Sequence, residues 1–315
     1  MSPVRARLDA TRWHFQHGPI DLVLSANGHD DAIELAWARF QPLLDELVRE
    51  LGTLRRAVAD ATVVRGTVAR RMLNACRPHA ERFITPMAAV AGSVADEILA
   101  AMLPASPRRA YVNNGGDIAL HLTAGTQFRV GLVADVARHG HGMPLDGDFE
   151  LDAAMPVRGV ATSGWRGRSF SFGIADSVTV LAADAAAADA AATMIANEVD
   201  VDDAAVVRRP ACELADDTDL GARPVTVSVG TLPAALVLAA LTRGASHAES
   251  LRARGLIHAA VLTLQSRHAA VGPLALPPDA RSDPAASHPC SSSLYCDEAR
   301  VPGRALADHS GRVTR

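Results

Sequence analysis

The sequence predicts an α+β fold in which helices are layered on antiparallel strands, and three observations carry that prediction. Apolar residues make up 49% of the 315-residue chain but aromatic residues only 4%, so the interior must be built mainly from Ala, Val and Leu, which suits close layers of helix on sheet. Candidate strands come in small sets before and after groups of helices rather than alternating singly with them. The stretch from Val160 to Asp200 then gives a turn, a strand and an alanine-rich helix in direct succession.

In chain order, Trp13 to Gln16 and Ile20 to Ala26 read as strands joined by a turn at Gly18 and Pro19. Ile33, Trp37, Phe40, Leu44, Leu47, Val48 and Leu51 recur at helical spacing, predicting an amphipathic helix kinked or divided at Pro42. A second helix is expected from Gly66 to Cys76. A third opens at Thr85 and Pro86, with Thr85 as its cap and Val90, Val94 and Ile98 on its buried face. Strands at Arg109 to Val112, Ile118 to Thr123 and Gln127 to Ala134 are expected to form a small antiparallel set, followed by a loop from Ala137 to Asp148. Ser177 to Ala182 has strand alternation, and Asp184 caps the helix after it. Arg223 to Val229 and Gly255 to Leu264 read as strands flanking a helix at Leu232 to Arg243. Both halves thus mix strands with helices, which suggests a structural duplication. From Pro273 onward Pro, Ser, Asp, Arg and Ala follow no apolar period, so residues 1–272 are expected as one compact unit and 273–315 as a disordered tail.

Composition excludes several classes. The net charge of -4 and pI near 6.3 give no field for nucleic acid. No lysine occurs, which removes a lysine Schiff base and a Walker A lysine. Cys76, Cys212, Cys290 and Cys296 form no CxxC pair, so reduced thiols and a cytoplasmic location are expected. The N-terminal residues carry no apolar signal region, and the longest apolar run, Leu232 to Leu241, is short of a membrane span. There is no Gly-x-Ser-x-Gly elbow, no GxGxxG after a strand and no His-Glu-x-x-His.

Three stretches carry candidate chemistry. On the alanine-rich helix Asp189, Thr193 and Asn197 stand four residues apart and so share one face, where a carboxylate and a hydroxyl suit a hard cation; an Ala-rich helix with a polar outer stripe is the plain alternative. Asn113, Asn114, Gly115, Gly116 and Asp117 lie between strands. Successive glycines let amides converge on an anion, although the same residues make an ordinary hairpin turn. Thr162, Ser163, Gly164, Trp165, Arg166, Gly167 and Arg168 suit a loop holding a planar heterocycle and a phosphate, or else a polar surface loop. The His-Gly-His-Gly run at 139–142 and the pair His14 and His17 are weaker metal candidates.

With these residues in view, the chain resembles the UPF0280 family, part of the wider superfamily of ApbE-like FAD:protein FMN transferases. The likeness to UPF0280 runs through nearly all of residues 13–265, including WHFQHGPIDLVL, ITPMAAVAGSVADEIL, YVNNGGDIALHL, ATSGWRGRSFSFGIADSVTVLA, ADAAATMIANEV and DTDLG. Likeness to the transferases is confined to shorter pieces. Their Gly-Gly-Asp segment is similar to Gly115, Gly116 and Asp117, and their Ser-Gly turn to Ser163 and Gly164. Their magnesium-binding Asp-x-x-x-Thr helix is similar to Asp189 and Thr193, with a carbonyl near Ala88 to Val90 as a further ligand. The chain departs from them at Ala91, Gly92 and Ser93, where they have Lys-Gly, and at Phe172 to Asp176, where their His-x-x-Asp-Pro-x-x-Gly loop is shortened.

The resemblance implies a tunnelling-type fold (T-fold): duplicated antiparallel sheets with helices packed on one side. It also implies a magnesium-dependent site for FAD or a related nucleotide, with FMN or nucleotidyl transfer, or phosphoanhydride cleavage, as the chemistry. In that reading Asn114, Gly115, Gly116, Thr162, Ser163, Gly164 and Arg166 hold the ligand, Asp189 and Thr193 the ion, and Asp117 or Asp176 acts as base. Two other readings use the same residues. One is an enzyme acting on a planar heteroaromatic acid without flavin, with His121 as general acid or base; the other is a non-catalytic binding protein. The expected partner is a small molecule rather than nucleic acid or membrane, with a homo-oligomer left open.

Overall fold

The computed structural model describes residues 2–59, 62–132 and 147–273. It opens with the strands β1 (Val4–Arg7), β2 (Arg12–His17) and β3 (Ile20–Ser25), then α1 (Asp30–Leu54) and α2 (Thr67–Cys76). A 3-10 turn at Pro86–Ala89 leads into α3 (Val90–Met102), followed by β4 (Arg109–Asn114), β5 (Asp117–Leu122), β6 (Gln127–Leu132), β7 (Gly147–Asp152), β8 (Gly159–Ser163) and β9 (Ser177–Ala182). The remainder is α4 (Ala185–Glu198), β10 (Val206–Pro210), β11 (Pro224–Val229), α5 (Ala234–Ala253), β12 (Ala259–Leu264) and β13 (Arg267–Val271).

Nine strands form one antiparallel sheet in the order β1-β2-β3-β4-β5-β8-β9-β12-β13. Two strands, helices and two strands recur within it: β2 and β3, α1 to α3, β4 and β5; then β8 and β9, α4 and α5, β12 and β13. Strand alternation splits the side chains between two faces. Ala110, Val112 and Ala119 join Phe40, Ile98 and Met102 of the helices in one core, while Val178, Val180 and Leu262 join α4 and α5 in a second. On the opposite face Tyr111, Ile118, Leu120 and Leu122 pack under the β6–β7 ribbon through Phe128, Val130 and Leu151.

Several elements differ from expectation for identifiable reasons. α1 runs undivided through Pro42, because Ile33, Ala36, Phe40, Leu43, Leu47 and Leu54 keep one continuous buried face, which outweighs the hydrogen bond that proline removes. β6 does not join β5 but pairs with β7, whose Gly147 and Asp148 belong to the expected loop. β8 was expected as a turn; its Gly159, Ala161 and Ser163 have little strand preference, but a Cβ on Gly159 would run into the Asp184 backbone, so close packing favours a small residue there. β9 was expected to be half-buried, but every residue in it is buried. α5 extends ten residues past Arg243, and Gly244 lets it lie close to β12 and the end of α4: an added Cβ would lie 2.8 Å from Leu262 Cδ2 and 2.3 Å from Val199 Cγ2. Thr85 makes no cap bond; its hydroxyl donates to Asp219 instead. The helical segment Pro86–Ala105 is long and apolar enough to cross a bilayer, but 56% of its apolar window is buried in the protein. The His-Gly-His-Gly run, Cys290, Cys296 and the chain after 273 lie outside the described residues.

Candidate functional site

The site is organised by α4. Asp184 accepts a hydrogen bond from the Ala187 amide at 2.7 Å, and Asp96 of α3 accepts from Ala185 and Ala186 at 3.1 and 2.9 Å, so both side chains hold the helix N-terminus. Two glycines set how closely it sits. A Cβ on Gly92 would lie 2.2 Å from the Ala185 carbonyl oxygen, and one on Gly159 would lie 2.0 Å from the Asp184 carbonyl. Ala188, Ala190, Ala191 and Ala192 are fully buried, so α4 has no solvent-facing apolar side and its polar stripe is not an outer one. Asp189, Thr193 and Asn197 line a cavity of about 730 Å³.

The β4–β5 turn forms the second wall. Gly115 and Gly116 have φ of 67° and 115°, conformations that other residues adopt only at a cost. The Gly116 amide donates to Asn113 Oδ1 at 2.8 Å, and Asn114 Nδ2 donates to the Ala91 carbonyl at 3.1 Å, tying the turn to α3. Asp117, 9% exposed, accepts from the Thr162 amide at 3.2 Å, and Asp189 accepts from the Gly92 amide at 3.0 Å. Burial raises the Asp117 carboxyl to about 7, against the opposing pull of the Thr162 amide and of Arg168. Burial also pushes Asp189 well above the usual carboxylate range, and the charge of Asp117 adds to it. The Asp117 carboxyl thus has Arg168 as a cationic neighbour, whereas the charge of Asp117 works against ionisation of Asp189.

The loop after β8 forms the third wall, and its two arginines divide. The Arg166 guanidinium lies 5.0 Å from the Trp165 ring centre and 3.8 Å from Asp176, whereas Arg168 crosses Gly115 toward the buried carboxyls. Asp176 lines the cavity, but its Oδ2 accepts from the Gln265 amide at 2.6 Å and its Oδ1 from Trp165 Nε1 at 3.4 Å. Held on both oxygens, it anchors the loop to the β12–β13 turn. The Thr162 hydroxyl is likewise engaged, with Thr179 at 2.9 Å, while Ser163 and Gly164 border the cavity. His121 does not line it. The residue shares the helix-facing side of β5 with Asp117 but stands four residues along, about 13 Å away at ~3.3 Å per residue.

A family model described as "AbpE bacteria" matches residues 5–273. The chain belongs to that family. A relative of this AbpE family member, a UPF0280 protein of Methanothermobacter thermautotrophicus, is 40% identical over 171 residues, covering 53% of this chain and 62% of the relative. A UPF0280 protein of Methanopyrus kandleri is 42% identical over 153 residues, 48% of this chain and 56% of that one. The aligned part is thus between about half and three-fifths of these relatives' length. Among solved structures, the ApbE protein of Thermotoga maritima is similar at a TM-score of 0.29 and 17% identity, over 56% of this chain and 65% of that chain. A mutant of the flavin transferase ApbE from Vibrio cholerae is similar at a TM-score of 0.37 and 11% identity, over 85% and 96%.

The rest of the cavity in this AbpE family member comes from residues to which the sequence reading gave no role. Ala215 to Leu220 form a strap across it, fastened by Asp219 to Thr85 and by Asp217 to Arg55 at 2.9 Å. Phe83 and Phe172 meet at 6.2 Å between ring centres, with the Arg223 guanidinium 3.4 Å from the Phe83 ring centre. The DTDLG run was the only signal for the strap, and nothing in the local pattern marks the phenylalanines as neighbours. Among the described residues no three His, Cys, Asp or Glu side chains form a metal-binding group, so an ion here would rest on two carboxylates at most, with hydroxyl and carbonyl oxygens. That all-oxygen set suits a hard cation such as magnesium, which keeps part of its water shell.

Proposed function

We propose that the cavity binds FAD or a related dinucleotide together with magnesium, and that its chemistry is flavin-nucleotide transfer or cleavage of the phosphoanhydride. The observation that carries this reading is the pair Asp117 and Asp189, two carboxyls on the wall of one cavity beside Arg168, where burial raises both and the charge of Asp117 raises Asp189 further. A divalent cation held by these residues would offset their charge, and the Arg168 guanidinium would pair with a pyrophosphate in the same cavity.

In this reading the Asp189 carboxylate and the Thr193 hydroxyl hold the ion; the Thr193 hydroxyl has no hydrogen-bond partner among the described residues. Bound there, magnesium would neutralise pyrophosphate charge and stabilise the leaving phosphate. Gly115 and Gly116 leave room for phosphate oxygens beside the turn, and Arg168, rather than Arg166, pairs with them. Asp117 takes the proton of the attacking hydroxyl as the new O–P bond forms and the anhydride P–O bond breaks, releasing the other nucleotide phosphate. We further read the repeated strand-helix-strand units as a duplicated T-fold. The heteroaromatic-acid reading rests on His121, which stands outside the cavity.

Calorimetric titration of FAD into the protein, with and without magnesium, tests this. Binding that requires both the ion and Asp189, and is lost in Asp189→Ala, is expected. Absence of FAD binding by the folded protein in either condition would overturn it, and binding without turnover would leave a non-catalytic carrier.

A further inference from the structure

Asn197 sits a little over two turns of α4 beyond Asp189, about 12 Å along the axis at ~1.5 Å per residue. Its side-chain amide is fixed by donors on one side. The Phe172 backbone N–H donates to Oδ1 at 2.9 Å, and the Ser171 hydroxyl donates to the same atom at 3.2 Å. A backbone N–H can only donate, so the oxygen must face it and the amide cannot flip. Ser171, 4% exposed, accepts from the Gly173 amide at 3.2 Å, which directs its own proton toward Asn197. The Asn197 NH2 is therefore turned away from this cluster, and it meets no acceptor among the described residues although Asn197 lines the cavity. The wall around it is flat and apolar: Phe172 against Phe83, Met194 on α4, and Phe170, itself 36% exposed.

Resting on the reading of this cavity as a magnesium-dependent dinucleotide site, we propose that Asn197 selects the ring of the ligand. Its NH2 donates to a carbonyl or ring nitrogen on the edge of a flat heteroaromatic system seated against Phe172, while the phosphates occupy the Asp189 end. The separation along α4 leaves room for a polyol or sugar link between ring and phosphate. A single oriented donor in an apolar wall discriminates strongly, because a ring without an acceptor there leaves the donor unpaired.

The test compares FMN with ribose 5-phosphate, a ringless reference, each titrated with magnesium into wild type and Asn197→Asp. Aspartate keeps an oxygen for Phe172 and Ser171 but replaces the donor with an acceptor; a thermal melt monitors the fold. FMN affinity is expected to fall at least about tenfold, with ribose 5-phosphate changed less than about twofold. Asn197→Ser, which retains an oxygen but no reaching donor, should show the same selective loss. Unchanged FMN affinity, or equal loss for both ligands, would overturn the assignment. Wild type that binds ribose 5-phosphate as tightly as FMN would also overturn it while sparing the phosphate end. Wild type that binds neither would remove the cavity reading and this inference together.

Discussion

The guanidinium of Arg168 lies across the α-carbon of Gly115, so near that a methyl group there would sit 2.2 Å from Nη2. The loop after β8 thus reaches over the β4–β5 turn, and absence of a side chain is what allows it. Gly115→Ala should push aside the flexible arginine tip and strain a backbone with φ of 67°, costing about 1–2 kcal/mol of stability. Its larger effect should be on the ligand, with FAD affinity in magnesium reduced about tenfold or more by calorimetry. Arg168→Gln should give the same binding loss without the stability loss, and Arg166→Gln a smaller one. An Arg168→Gln variant that binds like wild type would return the phosphate role to Arg166.

Gly159 meets backbone rather than a movable tip. A Cβ there would lie 2.0 Å from the Asp184 carbonyl, so Gly159→Ala must shift β8 or the start of α4. A loss of about 2–3 kcal/mol in denaturant melts is expected, accompanied by loss of ligand binding as Asp189 is carried away. A loss below about 0.5 kcal/mol would mean that α4 is not held by this contact.

His79 supplies a pH dependence with a definite sign. The ring is 4% exposed, and burial, helped by His247 and Arg254, lowers its pKa from 6.5 to about 4. Between those values the folded protein binds fewer protons than the unfolded chain, so stability rises with pH. The contribution is fully present above pH 6.5 and is lost as pH falls toward 4, up to about 3 kcal/mol in all. His79→Leu should flatten this part of the stability profile, measured by denaturant melts at several pH values. An unchanged slope would assign the acid sensitivity to other groups.

His121→Ala should leave FAD binding and any turnover within about twofold of wild type, since His121 stands outside the cavity. A large loss of turnover with binding intact would revive the heteroaromatic-acid reading.

Much of the site was legible because its elements are locally encoded. The spacing of Asp189, Thr193 and Asn197 needs only a helix to align them, and Asp184 followed by alanines announces that helix. Gly115, Gly116 and Asp117 were legible as a turn for similar reasons. What the pattern could not convey is which polar groups are already engaged. Asp176 and Thr162 looked as available as Asp117 and Ser163. Their partners Gln265 and Thr179 are set by strand register and chain crossings that leave no periodic trace. His121 follows Asp117 on the same strand yet does not line the cavity, because an extended strand carries residues apart faster than any other element. β8 leaves little trace in the sequence because Gly159 answers to the close approach of α4, not to strand propensity.

The contacts that build the cavity span great lengths of chain: Thr162 to Asp117 across 45 residues, Gly92 to Asp189 across 97, and Thr85 to Asp219 across 134. During synthesis the first half therefore emerges before the strap and before Gln265, which fastens Asp176. A small molecule that fits the finished cavity has no purchase on the unfolded chain or on either fragment. By mass action it would oppose unfolding by RT ln(1 + L/Kd), with L its free concentration, so the ligand would act as a chaperone for the complete fold, and its supply would bear on how much of the chain survives in the cell.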